Sequence, residues 1–211
     1  MNMRAGTGTR PPVGAAPRLG RVEQLVLRGD GLTTTSLEIL TGHEITVRVR
    51  RHWRLALPAQ AERAYDIFDG YTGPGADTLA AYSTVGYRDL GGVPGDDLLI
   101  REVLLCGDDG VIYATASLFA VLDRLPPDVA HRLATTGAPI GKLLVRAGIQ
   151  VKREIRRWGH FPAGDFAAHL GPAVQADTRV PARTYLMRSM VTGEPLTLIT
   201  EWFAPRLFDT A

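Results

Sequence analysis

Residues 98–120 read "LLIREVLLCGDDGVIYATASLFA", and how this stretch is read decides the fold of the 211-residue chain. Two apolar runs, 98–107 and 111–120, flank Asp108-Asp109-Gly110, a tripeptide suited to a tight hairpin turn. So short a connection permits only antiparallel pairing. Inside the first run two adjacent charges, Arg101 and Glu102, break the apolar sequence. Strand side chains alternate faces, so Arg101 sides with Leu99, Val103 and Leu105, and Glu102 with Ile100, Leu104 and Cys106. Neither face reads as solvated. A buried guanidinium is costly unless an anion meets it, which makes Arg101 a candidate binding residue.

Period-two and helical patterns extend outward from this hairpin. Residues 1–20, "MNMRAGTGTRPPVGAAPRLG", lack the apolar core of a signal peptide and read as a disordered tail. "RVEQLVLRG" predicts a helix with Val22, Leu25 and Val26 inward and Gly29 closing it. Asp30 is placed as the N-cap of a second helix through "TTTSLEIL", stopped by Gly42. "EITVRVRRHW" alternates as a half-exposed strand with Ile45, Val47 and Val49 on one side. Between 54 and 97 turn signals dominate, with a short helical piece over 60–68.

After the central hairpin, "LPPDVAHRLATTG" predicts a Pro-initiated helix ended by Gly137. "APIGKLLVRAG" predicts a short helix, and "IQVKREIRRW" a strand with Ile149, Val151 and Ile155 on one face. A loop over 160–182 leads to a last hairpin, in which "TGEP" joins "TYLMRSMV" to "LTLITEWF". The expected architecture is α+β: a single domain over 21–211, with an antiparallel sheet of about six strands and helices packed on it.

Composition narrows the function. Hydrophobic residues are 45%, charged residues 22%, and the net charge is +2. These are ordinary values for a soluble domain, with no electrostatic footprint for nucleic acid or an acidic membrane. No run approaches the ~18 apolar residues of a membrane span, so a cytoplasmic protein is expected. The single cysteine, Cys106, excludes an internal disulfide and a thiolate metal cluster, and reads as a small buried hydrophobe. The five histidines, at 43, 52, 131, 160 and 169, show no metal-ligand spacing. No phosphate loop, dinucleotide fingerprint, G-x-S-x-G elbow or H-E-x-x-H is present.

What remains is Arg101 in the central strand and Glu201 in the last, "LTLITEWFAP", where Glu201 shares a face with Thr197, Ile199 and Phe203. Taken singly, each fits a solvated edge-strand charge, and together they fit a mutual salt bridge.

Five segments, in order, carry a resemblance: "GDGLTTTSLE", "LIREVLLCGDDGVIYATASLF", "LDRLPPDVAHRLATTGAPIGKLL", "IQVKREIRRWG" and "RTYLMRSMVTGEPLTLITEWFAP". The chain resembles the chorismate lyase (chorismate–pyruvate lyase, 4-hydroxybenzoate synthase) family in its actinobacterial-type branch. That resemblance implies a chorismate lyase-like fold and the conversion of chorismate to 4-hydroxybenzoate and pyruvate without a cofactor. It implies that Arg101 holds the ring carboxylate and that Glu201 meets the hydroxyl end of the aromatic product. Backbone N–H groups of Leu32, Thr33 and Thr34, and of Ile140 with Gly141, would help hold the carboxylate. Ser117 stands where the better-known branch has a second Arg, at the enolpyruvyl end.

Arg101 suits its task because a guanidinium matches a carboxylate with two parallel donors and keeps its charge. Burial would favour a protonated Glu201, able to act as a general acid toward the departing enolpyruvate. In an intramolecular rearrangement Glu201 would only orient the substrate. Glu102 is read as structural. Two other readings stay open: a lyase for a related chorismate derivative, and a non-catalytic aromatic-carboxylate binding domain. The latter would be similar to effector domains of bacterial transcription regulators, although ~20 leading residues are too few for a helix-turn-helix module.

Overall fold

A computed structural model describes residues 19–56, 90–91 and 95–209 of the chain. Six strands are built: β1 (Ile45–Ala56), β2 (Asp97–Gly107), β3 (Ile112–Val121), β4 (Val151–Pro162), β5 (Arg179–Ser189) and β6 (Pro195–Phe203). They form one antiparallel sheet in the order β1-β2-β3-β6-β5-β4. Each half is a three-stranded meander, and the halves meet where β3 pairs with β6. The α+β expectation, with its six-stranded antiparallel sheet, holds.

Among the described residues five α-helices accompany the sheet: α1 (Arg21–Arg28), α2 (Thr33–Thr41), α3 (Pro127–Thr135), α4 (Ile140–Arg146) and α5 (Ala167–Leu170). Because β2 alternates, its two faces feed two cores. Leu99 and Leu105 join Leu118, Ile199 and Phe203 on the front, under Leu37 of α2, Leu133 of α3 and Leu144 of α4. Leu98 and Ile100 join Phe119, Leu198 and Trp202 on the back, under Phe166 and Leu170. Each fully buried side chain of this size stabilises the fold by about 1.5–3 kcal/mol, so both faces are firmly specified.

Several local expectations are corrected. Leu32, with extended backbone, occupies the N-cap of α2 in place of Asp30. The inner face of α1 is Val26 and Leu27, while Leu25 is 72% exposed. A helix of only two turns leaves its facing to tertiary contacts, and the carbonyl of Val26 is taken by a strand side chain described below. Gly29 ends α1 with extended rather than left-handed backbone. Its value is space, since a Cβ there would lie 2.8 Å from the Leu25 carbonyl oxygen.

The cap of α3 is Thr136, not Gly137, and its hydroxyl donates back to the Arg132 carbonyl. The loop expected over 160–182 is shorter, because β4 runs to Pro162 and a 3₁₀ turn and α5 follow. Those two elements insert Phe166 and Leu170 into the back core. At the N-terminus Leu19 already packs on the front core. Residues 1–18 and the 60–68 helical segment lie outside the described residues.

Glu102 answers one half of the opening puzzle. It is fully buried on the back face and meets Arg50 at 2.7 Å and Arg51 at 3.2 Å. Consecutive strand residues ordinarily point apart. Here the register of β1 shifts between Val49 and Arg51, and such a bulge lets two neighbours reach one carboxylate. Glu102→Ala is expected to cost about 1–3 kcal/mol of stability. Binding at the opposite face should change less than threefold. Urea unfolding and ligand titration on the same variant check both halves.

Candidate functional site

Arg101, buried to 3% exposure, leaves the front face of β2 opposite Leu118, which lies opposite Ile199. Glu201 leaves β6 between Ala116 of β3 and Arg183 of β5. Their strands are two spacings apart, about 10 Å across the sheet at the backbone, with Glu201 two residues along from the row of Arg101, and the floor between them includes Ala116, Leu118 and Ile199. Above this floor lies a cavity with ≈ 640 Å³ of empty space, its mouth included, roofed by the starts of α2 and α4.

Arg101 is held by one corner only. Its Nη1 donates to the carbonyls of Leu133 and Ala138 at 3.3 and 3.2 Å, where α3 ends. Nε and Nη2 are buried with no hydrogen-bond partner among the described residues. Those two nitrogens form the side edge of the guanidinium, the fork that grips a carboxylate with two parallel bonds. Burial lowers the pKa of Arg101, but a guanidinium stays charged in a protein. The cavity thus presents a desolvated cation with its carboxylate-matching edge open.

Glu201 is the opposite case. Oε2 accepts from Arg183 Nε at 2.7 Å. Oε1 accepts from Thr33 Oγ1 at 2.6 Å and from the Tyr185 hydroxyl at 3.0 Å. Thr33 itself accepts from Arg183 Nη2 at 3.0 Å, so its proton must point at Glu201. Burial, and the negative Glu201 beside it, push the pKa of the Tyr185 hydroxyl far upward, which keeps it a donor.

Arg183 is fixed in turn by the carbonyls of Val26 and Gly29, at 2.6 and 2.7 Å. Burial is the largest single influence and lowers its pKa, but the charge and hydrogen bond of Glu201 and the neighbouring Tyr185 together outweigh it, and the net shift is upward. Three donors therefore surround an acceptor-only carboxylate. Of its roughly four lone-pair sites, one on Oε2 is left for a hydroxyl. Of the two roles that the sequence leaves open for Glu201, proton donor or orienting group, these neighbours suit the second.

Among the expected residues, Leu32, Thr33, Thr34, Ile140 and Gly141 line the same cavity as Arg101 and Glu201. The first N–H groups of α2 and α4 have no carbonyl one turn earlier to bond, which leaves them available there. Thr33 also contributes its hydroxyl, as described. Ser117 does not join them. Its neighbours Ala116 and Leu118 take the cavity side, whereas Ser117 pairs across the strands with Glu102 and Thr200 on the back.

Residues not anticipated are Arg183, Tyr185, Arg153 and Lys142. Arg183 and Tyr185 were within reach of the alternation test, since "ARTYLM" places an Arg on an apolar face just as "LIREVLL" does. Cys106 is buried as expected. His43, Asp108 and Asp109 gather at the hairpin turn within ligand distance of one another. Asp108 and Asp109 are exposed and His43 half-buried, and the three are bonded among themselves and to Tyr113.

Comparison with known proteins gives a consistent picture. The family described as chorismate pyruvate-lyase, Rv2949c-like, matches residues 81–210. A protein of Mycobacterium tuberculosis (strain CDC 1551 / Oshkosh) named chorismate pyruvate-lyase is 24% identical over 197 residues, covering 92% of this chain and 85% of its own.

Among solved structures, PhnF from Mycobacterium smegmatis superposes with a TM-score of 0.56 at 14% identity, over 84% of this chain and 65% of that one. The effector domain of PhnF superposes with a TM-score of 0.53 at 15% identity, over 84% of this chain and 91% of that domain. The chain thus spans about two thirds of PhnF and nearly all of its effector domain. At such identities the likeness establishes the shared fold and nothing of the chemistry. No helix among the described residues is long and apolar enough to cross a membrane.

Proposed function

The chain belongs to the Rv2949c-like chorismate pyruvate-lyase family, and from that membership we propose that it converts chorismate to 4-hydroxybenzoate and pyruvate without a cofactor. The observation that carries this reading is the open Nε–Nη2 edge of buried Arg101 in the cavity. A ring carboxylate seated there would also meet the free N–H groups of Ile140 and Gly141. The ring would lie on Leu118 and Ile199, with its hydroxyl toward the remaining lone pair of Glu201.

The chemistry asks little of the protein. The ether C–O bond to the ring breaks, the adjacent ring C–H is lost, and the enolpyruvyl methylene gains the proton to become pyruvate. Aromatisation of the ring drives the step. With Glu201 held by three donors and its remaining lone pair facing the ring hydroxyl, intramolecular transfer from the ring C–H to the methylene is favoured over proton donation by Glu201. The cavity then acts by holding the substrate in a reactive shape and excluding water.

Purified protein incubated with chorismate is expected to release the two products in equal amounts, identified by chromatography. The rate should survive exhaustive chelation. Loss of turnover on chelation with recovery on adding a metal would refute the cofactor-free reading. Failure to form 4-hydroxybenzoate, with the ligand bound intact, would favour the binding-domain reading that the shared effector-domain fold permits. A different aromatic product would point to a related chorismate derivative as substrate.

A further inference from the structure

With Ser117 on the back of the sheet, the front cavity must hold a second substrate carboxylate by other means. We propose that Arg153 forms a second anion-binding end of this cavity and makes the site selective for dicarboxylates. This inference rests on the chorismate reading, where the second anion is the enolpyruvyl carboxylate.

Arg153 lines the cavity from β4. Its cross-strand row runs through Met187, Thr197 and Ala120 to Leu99. Arg101 and Arg153 therefore rise from opposite sides of the floor, four strand spacings or about 19 Å apart at the backbone, and converge on one space. Like Arg101, Arg153 is held by one corner. Its Nη1 donates to the Asp30 carbonyl at 2.6 Å, while its Nε is buried with no hydrogen-bond partner among the described residues. No carboxylate among those residues forms an ion pair with it. Its neighbour Glu154 is engaged by Lys152, Arg156 and Arg188.

Room for the guanidinium is kept by Gly141, where a Cβ would stand 3.4 Å from Arg153 Nη2 and 2.7 Å from Leu32 Cδ2. The rival cation is Lys142, which also lines the cavity. Its ammonium is directed to Glu38, 4.0 Å away, and its side chain is 44% exposed. Since Arg183 and Glu201 neutralise one another, Arg101 and Arg153 are, among the described residues, two positive charges without a carboxylate partner that face the cavity. Their number matches a dianion, with a ring carboxylate at one end and a flexible side-arm carboxylate at the other.

The test compares two ligands on four proteins: wild type, Arg153→Met, Arg153→Lys and Lys142→Met. Initial rates give KM for chorismate, a dianion, and inhibition gives Ki for 4-hydroxybenzoate, which lacks the second carboxylate. Arg153→Met is expected to raise the chorismate KM about 10–100-fold, the range for a charge-assisted contact at a partly exposed site. The Ki for 4-hydroxybenzoate should stay within about threefold. Arg153→Lys should recover part of the loss, because it restores charge but not the fork.

Equal losses for both ligands would make Arg153 a general structural residue and overturn the proposal. So would no loss at all, or the selective loss appearing in Lys142→Met instead. If wild type does not turn chorismate over, the lyase reading falls, and calorimetric titration with intact chorismate makes the same comparison. Selective weakening in Arg153→Met would then still support a dicarboxylate site, whereas no binding of chorismate to wild type would overturn it.

Discussion

Arg101→Ala is expected to weaken 4-hydroxybenzoate binding by roughly two to four decades while leaving the free protein as stable as wild type. The ligand carboxylate would enter a cavity without its cation, at a cost of roughly 3–5 kcal/mol, and about 1.4 kcal/mol is tenfold in affinity. Stability behaves differently because Arg101 has no ion-pair partner among the described residues. Its removal relieves the desolvation of a guanidinium and deprives only two carbonyls, those of Leu133 and Ala138, of a donor. These effects oppose each other, so the unfolding free energy should move by no more than about 1 kcal/mol in either direction. That outcome would mark Arg101 as a residue kept for binding at some expense to folding. Lysine at 101 should recover only part of the affinity. Calorimetric titration and urea unfolding on the same preparations read both quantities. A variant that loses stability in proportion to affinity would make Arg101 a structural residue.

Glu201→Gln should give the reverse pattern, with stability falling by about 3–5 kcal/mol. The amide cannot satisfy all three donors that converge on the carboxylate. Its NH₂ must face either Arg183 or the hydroxyls of Thr33 and Tyr185. Arg183 meanwhile keeps a buried charge that lacks its counter-ion. For a chain of this length about 2–4 °C of Tm accompanies each kcal/mol, so a fall of roughly 6–20 °C is expected. Arg183→Met should cost a comparable amount. The double variant should cost clearly less than the two single losses added, the signature of a coupled pair. If Glu201→Gln stays within about 1 kcal/mol of wild type and instead loses turnover a hundredfold, Glu201 is a proton donor, one of the two roles its position in the sequence leaves open.

The contrast between these two residues marks how far the sequence could be read. Parity along a strand was legible: it put Arg101 and Glu102 on opposite faces, and both faces proved to be buried. What each charge met was not legible, because partners come from distant elements. Glu102 found Arg50 and Arg51 only through a bulge in β1 that no periodic pattern announces. Glu201 found Arg183 because β5 and β6 pair in one particular register.

Ser117 shows parity neglected. The turn at Asp108–Gly110 sets Arg101 opposite Leu118 and Glu102 opposite Ser117, which already places Ser117 on the back with Glu102. Arg153 was obscured for a different reason. In "VKREIRRW" five of eight residues are charged, so the segment reads as a solvated edge strand. Only α2 and α4, packed above it, turn one of those charges inward.

Thr33 and Glu201 are 168 residues apart in sequence, and Arg183 and the Val26 carbonyl are 157 apart. During synthesis at about 5–20 residues per second, Thr33 waits roughly 8–34 s for Glu201 to leave the ribosome. β6 is the last strand made, yet its place in the sheet is central, between β3 and β5. A nascent chain short of β6 therefore carries two additional unpaired strand edges, those of β3 and β5, and an Arg183 without its counter-ion. β6 must be made before the sheet can close, and this one late strand supplies both the closure and the carboxylate. The interval before its arrival is when the polypeptide most needs chaperone cover, and a stop codon upstream of β6 would remove sheet and site together.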